Sequence, residues 1–240
     1  MEAKLLLIQA ISPLHAGTGQ GVGVIDLPIA REKATNITFL PGSTIKGVFR
    51  DACDSQACER IFGPDTNHAE LYAGAVNFTD ARLLLLPVRS LRGVFAWVTS
   101  PLLLRRLARD AQDAEGISFP STIPQPQNDD TCLIAQEKSE ITMTQSAKQQ
   151  VVLEDLPILA KKTPEVTTLA NWLGQKLFPG DEGWQAALTA RLCVVSDDVL
   201  SFLLETATEI TARTSIDDDN KTVKPGHLWY EEALPAETVL

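Results

Sequence analysis

Short solid apolar runs alternate along this chain with stretches of helical periodicity. Lys4–Ile11 reads KLLLIQAI, a run of strand length ended by Ser12-Pro13, and predicts a buried strand. Ile37–Leu40 predicts a second short strand. From Ser43 the pattern turns helical. Ser43 stands in an N-cap position, Ile45, Val48, Phe49 and Ala52 share an apolar face, and Gly63-Pro64 ends the helix. Gly74–Pro87 and Gly93–Thr99 predict two strands joined by a short basic turn. Ser100-Pro101 then opens a helix that closes at Gly116. Ile117–Asp130, rich in Pro, Ser, Asn and Gln, reads as a loop, and Gln150–Leu156 supplies a fourth strand. The order βαββαβ is that of a ferredoxin-like α+β fold.

The second half predicts a helix over Glu165–Phe178, ended by Pro179-Gly180, and a buried strand at Leu192–Val195. Ser196-Asp197-Asp198 caps a helix to about Leu204. Thr208–Glu231 reads as a long hairpin with a tip too polar to bury. No repeat of solenoid length is present.

Composition narrows the classes. The chain has 240 residues, 44% of them hydrophobic, and a formal charge of −10. That excludes general disorder and a bulk-basic nucleic-acid coat, but not a local RNA groove. No run approaches the length needed to cross a bilayer, and Leu5–Ile8 is too short for a signal-peptide core, so a cytoplasmic location with no membrane partner is expected. Cys53, Cys58, Cys132 and Cys193 do not match the paired spacing of zinc knuckles; they are expected as buried or incidental thiols in a reducing compartment.

Charge is uneven. Arg82, Arg89, Arg92, Arg105, Arg106 and Arg109 fall in a stretch without acids. They form either a phosphate-facing surface or a solvated face paired with acids elsewhere. Glu205 to Leu240 carries the opposite bias, which suits head-to-tail stacking of copies and equally suits a solvated face with no partner.

Three segments can carry chemistry. His15 precedes a glycine-rich loop, HAGTGQGVGV, and Asp26 follows between Ile25 and Leu27. A carboxylate among apolar neighbours tends to be desolvated, which suits proton transfer; it can equally hold a divalent cation beside a phosphate, cap a turn or pair with Arg31. In LPGSTIKGVFR, Gly42 and Ser43 begin a helix whose free N–H groups favour an anion, with Lys46 and Arg50 on the same face. The P-loop spacing is missing. In GHLWYEEALP, Trp229 and Tyr230 offer a stacking face, while Glu231 and Glu232 can give Asp26 a second carboxylate; a plain core strand is the alternative.

The runs HAGTGQGVGVIDLPIAREK, LPGSTIKGVFRDA, VLEDLPI and TEITARTSIDDDNKTVKPGHLWYEEALPAETVL resemble the backbone subunit of type III-B (Cmr) CRISPR–Cas interference complexes, in the RAMP superfamily. The resemblance implies an RRM-like, ferredoxin-like palm at 4–156 with a long insertion around 117–149. It implies a helical insertion at 157–205 and a protruding β-hairpin thumb at 208–232, all in one RAMP domain over 1–240. It further implies copies stacked in a helical filament along crRNA, other complex subunits as partners, and metal-dependent cutting of complementary target RNA at regular intervals.

Asp26 matches the position required for cutting and is the expected ligand of a divalent cation, Mg being the expectation. His15, Glu231 and Tyr230 are further catalytic candidates. Gly17, Gly19, Ser43, Thr44, Lys46 and Arg50 are the RNA-binding candidates. Family members continue past ALPAETVL into a final strand and glycine-rich loop; this chain stops at Leu240, so that element is expected to be missing and a sheet edge unpaired. A non-cutting crRNA coat, a metal-independent processing ribonuclease and, more remotely, a small-molecule enzyme are the competing readings.

Overall fold

The computed structural model describes the chain except Met1, Gln20, Val22, Gly23, Ala69, Glu137, Lys138, Ser146, Asp218 and Asn220. β1 (Phe39–Leu40) and β2 (Ala81–Arg82) form a small antiparallel pair. A seven-stranded mixed sheet contains β3 (Leu86–Arg89), β4 (Phe95–Thr99), β5 (Thr131–Ala135), β6 (Thr142–Gln145), β7 (Lys148–Leu153), β8 (Leu156–Thr163) and β9 (Leu192–Val194), in the spatial order β3-β4-β9-β5-β8-β7-β6. The helices are α1 (Gly42–Asp51), α2 (Cys58–Phe62), α3 (Pro101–Asp113), α4 (Pro164–Leu177), α5 (Glu182–Arg191) and α6 (Asp197–Thr206). β10 (Glu209–Ile216) and β11 (Val223–Ala233) form an antiparallel hairpin outside the large sheet.

The central strands are apolar throughout because both sheet faces are covered. Ala96 and Val98 of β4, with Cys132 and Ile134 of β5, face a core shared with Ile45 of α1 and Val199, Leu200, Leu203 and Leu204 of α6. Their neighbours Trp97, Leu133 and Ala135 face the other way, onto Val166, Leu169, Ala170 and Leu173 of α4 and Leu188 of α5. Ser196 caps α6 as expected, its hydroxyl accepting from Val199 N at 3.2 Å. The cap contributes roughly 1 kcal/mol, whereas each buried Leu of α6 contributes roughly 1.5–3, so packing decides where that helix sits.

The N-terminal run pairs irregularly rather than as a full strand. Ile8 and Leu240 exchange backbone hydrogen bonds, both at 2.9 Å. Val239 bridges Gln9 on one side and Leu85 on the other. Val239 thus lies between Gln9 and Leu85, just before β3, which is an edge strand of the large sheet.

Other expectations are corrected. The helix predicted from Ser43 to Gly63 breaks after Asp51 and resumes as α2, with Gly63 at φ 91° closing the second piece. The break lets Cys53 and Cys58, with Cα atoms 6.0 Å apart, pair as a disulfide, against the expectation of free thiols. Pro41, not Ser43, is the N-cap residue of α1. Only Gly42 and Ile45 of that helix are buried, while Val48 and Phe49 are exposed. The strand predicted from Gly74 begins only at Ala81.

Within the predicted insertion at 117–149, Thr131–Ala135 is a wholly buried central strand. Residues 157–163 of the predicted helical insertion belong to β8, which pairs in parallel with β5. A five-residue apolar strand beside a polar loop shows no period to distinguish it, and only its sheet neighbours define it. The predicted hairpin is present, with Glu209 opposite Ala233 and Ala212 opposite Tyr230. Among the described residues, no helix is long and apolar enough to cross a membrane.

Candidate functional site

The glycine-rich segment is held by β11. Leu14 and Leu234 exchange hydrogen bonds at 2.9 Å each. Leu27 N donates to Tyr230 O at 3.0 Å, and Glu232 N donates to Leu27 O at 3.0 Å. Ala30 N donates to Ala16 O at 2.7 Å, closing the neck of the loop. His15 and Asp26, at the two ends of the glycine-rich segment, are thereby fixed to Glu232 and Tyr230 of one distant strand.

Asp26 is exposed, and its Oδ2 accepts from Tyr230 N at 2.7 Å. The expected desolvation is not found. In this extended stretch alternate residues face opposite ways, so Ile25 and Leu27 turn inward and Asp26 outward. Arg31 is not its partner: its guanidinium donates to Glu232 Oε1 at 2.6 Å, to Leu204 O at 3.0 Å and to Asn36 O at 3.2 Å.

His15 is half-buried, with Nδ1 2.6 Å from the carbonyl oxygen of Glu232. A carbonyl can only accept, so Nδ1 carries the hydrogen and Nε2 is the basic nitrogen of the neutral ring. A Cβ at Gly17 would lie 2.6 Å from that Nε2. Gly17 is thus required by the imidazole packed over it. Gly19, at φ 99° with open space around it, is required by its backbone conformation.

The C-terminal acids divide. Glu231 Oε1 pairs with Arg213 at 3.0 Å on the hairpin. Glu232 is buried; besides Arg31, its Oε2 accepts from Ile29 N at 3.1 Å. It anchors the loop rather than joining Asp26 as a second exposed carboxylate. Tyr230 has an exposed side chain, while the Trp229 indole nitrogen is buried and has no hydrogen-bond partner among the described residues. The Arg31–Glu232 pair, 201 positions apart, has no local sequence signal; the two acids in GHLWYEEALP were the nearest hint.

At α1, the expected free N–H groups are partly spent. Gly42 N donates to Asp80 Oδ1 at 2.9 Å, and a Cβ there would meet Phe78 O at 2.3 Å. Ser43 and Thr44 are exposed and Lys46 is half-buried, with no ion pair among the described residues. Arg50 donates one guanidinium N–H to Pro64 O at 2.7 Å, bracing the turn after α2.

The arginine-rich stretch proves mostly paired. Arg106 grips Glu32 through two bonds of 3.0 and 2.9 Å, Arg82 meets Asp110 at 3.0 Å, Arg109 meets Asp110 at 3.1 Å, and Arg105 donates to Gln125 at 2.9 Å. Burial alone would raise the Glu32 carboxyl, but the Thr35 hydroxyl and Arg106 outweigh it and hold the group below its usual range. Arg89, Arg92 and Arg105 are exposed and have no ion pair among the described residues, so the phosphate-facing reading of this stretch stays open for these three.

Residues 7–239 match the family model of the RAMP superfamily. The chain is 36% identical to the CRISPR system Cmr endoribonuclease Cmr4 of Pyrococcus furiosus over 251 aligned positions, covering 100% of this chain and 80% of that protein. It is 25% identical to the CRISPR system CMR subunit Cmr4 of Saccharolobus solfataricus, covering 98% and 82%. Among solved structures, oligomeric Cmr4 from Pyrococcus furiosus superposes with a TM-score of 0.71 at 32% identity, covering 97% of this chain and 77% of that one. A chain of the type III-B Cmr-beta complex bound to cognate target RNA shares the fold at a TM-score of 0.70 and 21% identity, covering 97% and 80%.

Proposed function

The chain belongs to the RAMP superfamily, and on that premise we propose that it is a backbone subunit of a type III-B CRISPR effector complex. It binds guide RNA, assembles with further copies of itself and other Cmr subunits, and cleaves complementary target RNA at regular intervals. The N-terminal segment, α1, β3, β4 and α3 act as a ferredoxin-like palm, and the β10–β11 hairpin acts as the thumb. The single observation that carries cutting, rather than coating alone, is the exposed Asp26 carboxylate, oriented by the backbone of Tyr230.

Cleavage follows from transfer within the RNA. A 2′-hydroxyl beside a displaced nucleotide attacks the adjacent phosphorus, and its proton passes to Asp26. The P–O5′ bond breaks, and the leaving oxygen takes a proton from His15 Nε2 when the imidazole is protonated. Glu232 O keeps that ring in one orientation by holding Nδ1–H. Glu231 and Tyr230 lie on the same strand, where Tyr230 positions Asp26 through its backbone and Glu231 is engaged by Arg213.

Among the described residues, no three His, Cys, Asp or Glu side chains gather as a metal cage. One free carboxylate oxygen suits a magnesium-class ion, which takes one or two carboxylates and completes its shell with water and substrate phosphate. As the alternative to taking the hydroxyl proton, Asp26 would hold such an ion through that oxygen, and the ion would supply charge neutralisation at the phosphate.

The test is a complex assembled on guide RNA and given labelled complementary RNA. Asp26→Asn is expected to keep guide binding and lose evenly spaced cuts by 100-fold or more, on the order of the contribution of a general base. Undiminished cutting would refute the assignment. Cutting that survives EDTA favours metal-independent processing, and wild-type protein that binds without cutting favours a structural coat. A normal rate in His15→Ala reduces His15 to a loop residue.

A further inference from the structure

Beside α1 stand three aromatic rings in near-parallel array. Phe78 is the middle one, its centroid 5.4 Å from Phe49 with planes inclined 14°, and 6.4 Å from Phe62 with planes inclined 8°. Close backbone approaches hold the array. A Cβ at Gly42 would meet Phe78 O at 2.3 Å, and one at Gly74 would meet the Phe62 carbonyl carbon at 2.5 Å. Val76 N donates to Ile61 O at 3.1 Å, tying the Phe78 segment to α2.

Phe49 ends this array and is 46% exposed. An ordered phenyl ring without a polar tip gains free energy when something covers it. Lys46 lies one helical turn before Phe49, and Arg50 follows directly. Lys46 has no ion pair among the described residues, and Arg50 keeps guanidinium N–H groups beyond the one given to Pro64. A flat apolar ring flanked by cations has the composition of a single-strand stacking site: the ring takes a base of any identity, and the cations take the backbone.

We infer that Phe49 is a stacking site for an unpaired nucleobase of the bound RNA strand, with Lys46 and Arg50 meeting the neighbouring phosphates. The inference rests on the RNA-binding reading above and adds to it a sequence-independent base contact. Val48, 65% exposed on the preceding position, makes contact with a second protein the competing occupant.

The probe is a single-stranded RNA carrying 2-aminopurine at successive positions, titrated onto the full chain. Phe49→Leu is expected to weaken binding about tenfold, with the salt slope unchanged, and to abolish fluorescence quenching at one position. Phe49→Trp is expected to retain both affinity and quenching, which separates stacking from folding. Lys46→Ala is expected to weaken binding and flatten the salt slope. Wild-type affinity and quenching in Phe49→Leu overturn the inference, as does a defect confined to self-association measured by light scattering. If Lys46→Ala also binds normally, the RNA-binding reading of α1 fails with it.

Discussion

Glu232 and Arg31 meet at 2.6 Å with side chains only 5% and 19% exposed. Glu232 also accepts the Ile29 N–H, and its own carbonyl orients His15. One residue of β11 therefore fixes both arms of the loop that presents Asp26. Removing a partner from such a pair leaves an uncompensated buried charge. Glu232→Ala is expected to destabilise the fold by about 3 kcal/mol in denaturant titration. The exposed-side pair Arg213–Glu231 serves as the comparison, and Glu231→Ala is expected to cost about 0.5 kcal/mol or less. Equal losses would remove Glu232 from its anchoring role.

The Glu32 carboxyl, held below its ordinary value of 4.5, predicts the direction of a pH effect. Its folded value is lower than its unfolded one, so its contribution is present at neutral pH. The contribution is lost as pH falls below about 4.5 and through the folded value. The side chain is 25% exposed, so about 1 kcal/mol or less is expected after screening. Stability curves for wild type and Glu32→Gln should converge in acid and separate near neutrality.

Val94 sits at φ 73° in the β3–β4 turn and is 81% exposed. A β-branched residue there is strained, and its side chain gains little packing in return. Val94→Gly or Val94→Asn is expected to stabilise by about 1 kcal/mol, read as a higher melting temperature. A lower melting temperature in both variants would show that the Val94 side chain carries a contact worth more than the strain.

Thiol chemistry separates the four cysteines. Cys132 and Cys193 are free and fully buried on neighbouring central strands; their mutual hydrogen bond and burial push the Cys193 thiol up, keeping it protonated. Ellman's reagent is expected to find no reactive thiol in the native protein and, after denaturation without reductant, the two from Cys132 and Cys193. Two further thiols should appear only after reduction of Cys53–Cys58. A native count above zero would contradict the pairing or the burial.

The sequence by itself determined which residue types stand where the chemistry is, because those signals are local. The glycines around His15, the isolated Asp26, the hairpin with its polar tip and the cap of α6 are read from neighbours in the chain. The tertiary structure alone decided how those pieces meet. Asp26 reaches Tyr230 across 204 positions, and His15 reaches Glu232 across 217. β5 was hidden in a loop-like context because a strand buried on both faces carries no period of its own, and the Cys53–Cys58 bond depended on where α1 stopped. Pairings of that kind are set by loop closure and by which apolar faces cover one another, quantities that a linear pattern does not contain.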